Sequence, residues 1–131
     1  MSTKYIMIAS AAFLGLLGAA SQFLPTEILT YFNADTNALN EMIIQLAGAL
    51  YLGFAMLNWM GKSNIIGGIY SRPVSLGNFM HFLVGAITLI NFLFAGNNGT
   101  VIIIITILYS LFAIAFAKIV FFHPVKPAGG N

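Results

Sequence analysis

Gly67, Gly68, Arg72, Asn78 and His81 carry most of the chemistry this chain can offer, and all lie within residues 61–82. Successive glycine N–H groups beside an arginine and a helix start can cradle an anion. Arg72 supplies a permanent charge with a forked set of donors. Asn78 and His81 follow it at helical spacing, each deeper along the same helix. A histidine at that depth can relay protons, ligate a metal or hydrogen-bond a quinone carbonyl. These residue types therefore suit an anionic lipid headgroup or a quinone. The plainer reading is a tight turn whose Lys62 and Arg72 touch lipid phosphates, with His81 satisfied by Asn78 or by a facing helix.

What positions these residues follows from composition. The chain has 131 residues, 60% of them hydrophobic and 6% charged, against a usual charged share of about 25%. So few charges cannot cover a water-soluble domain of this size, so lipid must solvate much of the surface. The net charge of +2 is too small and too dispersed for a nucleic-acid footprint. With no cysteine, disulfides, thiolate nucleophiles and cysteine metal sites are excluded.

Four apolar runs, about 5–24, 42–60, 74–94 and 101–122, each approach the ~20 residues that cross ~30 Å of hydrocarbon as a helix. The expected fold is all-α: a polytopic membrane protein whose four transmembrane helices form an antiparallel bundle in one domain, 1–131. In the first run, Gly18-Ala19-Ala20 could pass for a signal-peptidase site, but the segment is read as a retained span. Ala11, Gly15 and Ala19 repeat there at four-residue spacing, a smooth strip for close helix approach. Pro25 to Glu41 is a connector in which Pro25 opens a short interfacial helix, followed by a turn at Asn33-Ala34-Asp35. An ordinary loop with aromatics at headgroup level fits the same residues.

The second run places Gln45, Gly48, Ala49, Leu52, Gly53 and Met56 on one side, a face for other helices, and ends in Trp59, an interface anchor. Gln45 is expected to hydrogen-bond a neighbouring helix. In the third, Asn78, His81, Gly85, Thr88 and Asn91 share under half of the circumference, so that side faces protein or water. Gly96-Asn97-Asn98-Gly99-Thr100 is a short turn. The fourth run opens Val-Ile-Ile-Ile-Ile, strand-like in water, but its length decides for a helix. Thr106, Ser110, Ala113 and Ala117 form its contact seam, and Lys118 snorkels to the interface.

Four antiparallel spans put Lys4, Lys62, Arg72, Lys118 and Lys126 on one side and Glu27, Asp35 and Glu41 on the other. The positive-inside rule then makes both termini cytoplasmic. No catalytic triad, phosphate loop, metal-ligand cluster or internal repeat is present. His81 and His123 could in principle ligate one haem, yet His123 lies beyond its span, where interfacial solvation accounts for it.

The order of a helix ending at Leu24-Pro25, an outer connector, then Gln45-Leu46-Ala47-Gly48-Ala49-Leu50-Tyr51-Leu52-Gly53 resembles small four-helix DoxX-like bacterial membrane proteins. The resemblance covers much of the chain through glycine-rich helix patterns. It implies a four-helix bundle in a bacterial inner membrane and hints at quinone chemistry, with Asn78 and His81 as the matching polar positions. No cysteine or acid within a span supports redox or proton work.

The leading functional expectation is a non-catalytic accessory or scaffold subunit, with no resident cofactor, binding other membrane subunits, itself or lipid. An oligomeric transporter or channel is second, since four short spans alone leave little room for a pore. A quinone- or lipid-linked enzyme is third.

Overall fold

The computed structural model describes residues 3–63 and 72–122. Gly67, Gly68, His123 and Lys126 lie outside the described residues. The secondary structure of the described residues is all-α: α1 (Thr3–Phe23), α2 (Pro25–Tyr31), α3 (Ala38–Gly61), α4 (Arg72–Phe94) and α5 (Thr100–Phe122). Four of these, all but α2, are long and apolar enough to cross a membrane.

The connector between the first two spans is a real helix, and proline explains where it begins. Leu24 N–H still donates to Ala20 O at 2.8 Å, but Pro25 has no N–H to continue the ladder. Pro25 instead becomes the first residue of α2. At its far end Asn33 takes the left-handed conformation (φ 55°), and Ala34 N–H donates to Leu29 O at 2.9 Å. Asparagine tolerates that conformation better than most side chains. On α2 Leu29 is buried, while Tyr31 and the Phe32 that follows the helix remain exposed.

Asn37 then starts α3 four residues earlier than hydropathy suggests. Its side-chain oxygen accepts from Asn40 N–H at 2.9 Å, satisfying a donor that the helix leaves orphaned. Thr26 Oγ1 donates to Glu41 Oε1 at 2.9 Å and ties α2 to the start of α3. At the other turn, Gly96 adopts φ 100° and Asn97 Nδ2 donates to Phe92 O at 3.1 Å, closing the end of α4.

The chain divides into two compact units, residues 7–62 and the remainder. In the first, α1 and α3 run antiparallel, since Ser10 meets Asn58 while Gly18 meets Gly48. The Gly18–Gly48 crossing is a direct backbone approach. A Cβ added at Gly18 would lie 3.0 Å from Gly48 O, and one added at Gly48 would lie 3.0 Å from Gly18 O. Gly15 stands more loosely beside this crossing, its added Cβ 3.8 Å from Ala55 Cβ.

The buried row of α1 is Met7, Ala11, Leu14, Gly18 and Ser21, with Ser10 beside it. Gly15 and Ala19 are half-buried. On α3, Gly48 and Asn58 are buried and Gln45 is half-buried, whereas Ala49, Leu52, Gly53 and Met56 are exposed. The expected single face of α3 is thus split, with Gly48 toward α1 and Ala49 and Gly53 away from it.

In the second unit α4 and α5 also run antiparallel. Phe79 pairs edge-on with Phe121 at 5.5 Å, and Phe82 stacks on Phe116 at 5.7 Å and on Phe112 at 4.9 Å. Ala113 and Thr106 are buried, Ser110 and Ala117 half-buried, and Ile103 and Ile114 exposed.

Candidate functional site

In the α4–α5 unit, polar chemistry converges on His81 and Tyr109. His81 Nε2 and the Tyr109 hydroxyl lie 3.0 Å apart. The ring centroids of the two are 5.4 Å apart, and Phe82 stands 5.1 Å from each. Tyr109 is 3% exposed and Phe82 fully buried.

Gly85 makes this arrangement possible. A Cβ at that position would sit 2.5 Å from Tyr109 Cε1 and 2.7 Å from Cδ1, far inside ordinary contact. The tyrosine ring therefore occupies the space that any other residue at 85 would fill. Its hydroxyl reaches His81 one turn away on the same helix.

This geometry answers what the His81 ring is for. Nε2 is engaged by a buried phenol, so a quinone carbonyl bonding there would first have to displace Tyr109. Within the membrane, an intramolecular partner for each polar group is the ordinary way to offset the cost of leaving water. The pair reads as a clip holding α4 to α5.

The other expected site residues are placed as follows. Asn78 is fully buried, and its Nδ2 donates to Val74 O at 2.9 Å within α4. Arg72 is exposed at the first position of α4. Gln45 Nε2 donates to Gln22 O at 3.3 Å, joining α3 to the end of α1. Thr106 and Ser110 turn their hydroxyls back onto Ile102 O and Thr106 O, so the α5 seam meets α4 through small apolar surface. Thr88 does the same to Val84 O and remains exposed.

A second polar contact is buried in the α1–α3 unit. Asn58 Nδ2 donates to Ser10 Oγ at 3.0 Å, and Ser10 Oγ donates to Met7 O at 3.0 Å. Both side chains are fully buried. Among the described residues, no buried side-chain nitrogen or oxygen lacks a hydrogen-bond partner, and no group of three acids, histidines or cysteines could hold a metal ion.

Neither a family model, nor a curated protein, nor a solved structure matches the chain.

Sequence reasoning missed Tyr109, Ser10 and Asn58. For Tyr109 a signal existed, because a phenol in mid-span must find a polar partner. The i, i+3, i+4 row through Thr106, Tyr109 and Ala113 passes directly through it.

Proposed function

We propose that this chain is a non-catalytic integral membrane protein, an accessory or scaffold subunit that binds other membrane helices or lipid. The observation that carries this reading is the outer face of α3. Only 11% of the residues in its most apolar stretch are buried among the described residues. That open face is also not uniformly large. Ala49 and Gly53 lie exposed one turn apart, and a Cβ built on Gly53 meets nothing within 4 Å. Lipid solvates leucine as well as it solvates alanine, so lipid alone does not call for small residues. Their value is in letting a second helix backbone approach.

The internal pairing of His81 with Tyr109 supports the non-catalytic part of the reading, because the histidine is committed to holding two helices together. The glycine-rich patterns that resemble DoxX-like proteins fit a bacterial inner-membrane setting. The separation of basic from acidic connectors supports cytoplasmic termini.

The test is gentle extraction followed by mass spectrometry of co-purifying proteins and lipids, for the parent and for Gly53→Leu. The expected result is a retained partner helix or lipid, with the protein partner weakened in the variant. A parent protein that isolates alone, with neither retained, sinks the reading.

A further inference from the structure

A groove runs along the α1–α3 pair, enclosing about 300 Å³, at the small end of the ~300–1,000 Å³ range of ligand pockets. Ala11, Ala12 and Ala55, its small-residue floor, line it together with Ile8, Leu52 and Met56, all apolar. Three alanines in the lining leave room that larger side chains would fill. Trp59 is the last residue of α3 along this lining. Over the Trp59 ring, 3.1 Å from its centroid, sits Lys62 Nζ.

We propose that this groove is a phospholipid site, with an acyl chain lying along the alanine floor and the lipid phosphate bound by Lys62. The inference rests on the lipid half of the function proposed above and specifies which surface binds. Three features select this occupant. First, the groove follows the helix axes, the direction of a lipid chain in a bilayer. From Trp59 to Leu52 it covers about 10 Å at 1.5 Å per residue.

Second, the polar elements lie at one end only, in the order a lipid demands. Tryptophan sits at headgroup depth and the ammonium lies just beyond it, at the helix end. Stacking on the indole holds Lys62 in place through its attraction for the ring face.

Third, charge is complementary. The three acids, Glu27, Asp35 and Glu41, all belong to the connector at the opposite end of α3. That end is ~30 Å from Lys62 at helical rise, so the ammonium draws its anion from the bilayer. A packed helix from another chain would fill the apolar floor but would leave the ammonium without an anionic partner. The phosphate of a lipid already in the groove satisfies both.

Trp59 is the chain's single tryptophan, so its fluorescence reports directly on the groove. The protein is reconstituted in phosphatidylcholine vesicles containing a minor fraction of lipid brominated on its acyl chains, either phosphatidylglycerol or phosphatidylcholine. Quenching by the brominated anionic lipid should correspond to about a fivefold preference over the zwitterionic one, the factor that one interfacial lysine provides. Lys62→Gln should abolish that preference. Ala12→Leu, at an exposed floor position, should lower quenching by both lipids toward the bulk level.

Equal quenching by the two headgroups in the parent protein overturns the proposal, and so does a preference that survives both variants. Quenching that grows as the protein is diluted into more vesicles of fixed composition also overturns it, assigning the groove to a second copy. The parent comparison needs no variant to fold, and helical circular dichroism checks the two that are used. Loss of headgroup preference removes this site alone, whereas the co-purification experiment decides the broader function independently.

Discussion

Gly85→Ala is the substitution with the largest consequence for its size. It adds one methyl group to a transmembrane helix, at a point where that methyl would stand 2.5 Å and 2.7 Å from two ring carbons of Tyr109. An aromatic ring has only two side-chain torsions and is walled in by Phe82, so it cannot yield by bending one end away. Either α4 and α5 separate locally or Tyr109 leaves its rotamer. Overpacking of this kind costs about 1–3 kcal/mol in well-packed cores. Moving the ring also lengthens the 3.0 Å contact to His81, and interhelical hydrogen bonds in membranes average about 0.6 kcal/mol. The combined loss is about 1.5–3.5 kcal/mol. It is measured by reversible denaturation in mixed micelles, followed by circular dichroism. Tyr109→Phe keeps the ring and removes only the hydroxyl, so it should lose only about 0.6 kcal/mol. In a Tyr109→Ala background the methyl at position 85 has nothing to strike, and Gly85→Ala should be close to neutral. A Gly85→Ala protein as stable as the parent, or one equally destabilised in the Tyr109→Ala background, refutes the reasoning.

Two further outcomes are expected. Ala113→Leu should destabilise the protein by about 1–3 kcal/mol, because Ala113 is buried, while Ile114→Leu next to it should be nearly silent, because Ile114 is exposed; thermal unfolding in detergent compares them, and equal stability of the two counts against the α5 seam. Single cysteines at Asn97 and Ser63 should react with an impermeant thiol reagent from opposite sides of the membrane, and labelling of both from one side rejects the topology.

The spans were legible because hydrocarbon thickness imposes a length that few other structures share. Their ends were not, because capping is local chemistry that hydropathy averages away: α3 begins at Ala38 on account of Asn37, four residues before the apolar run. The packing rows were partly legible. Ala11, Gly15 and Ala19 recur at strict fours, and each such step advances about 40° beyond a full turn. A strict row therefore winds off the contact face, and the true one alternates threes and fours through Ala11, Leu14, Gly18 and Ser21. At the candidate site, Asn78 and His81 stood out as polar residues in an apolar run. Tyr109 and Gly85 did not reveal their partnership, since nothing in one helix's sequence states which residue of the next will lie opposite it.

The division at Lys62 has a consequence for how the chain is made. The α1–α3 contacts, from the glycine crossing to the Ser10–Asn58 hydrogen bond, all lie within residues 7–62. They can form as soon as that stretch has left the ribosome. At ~5–20 residues per second, the stretch through the end of α4 needs on the order of 2–6 s more to emerge. Helix pairing requires far less time than that. The first hairpin can thus close, with its amide and hydroxyl already shielded from lipid, before α4 has emerged from the ribosome. Biogenesis of this protein can proceed one hairpin at a time, and a defect in Gly18 or Gly48 would be felt by the insertion machinery before α4 emerges.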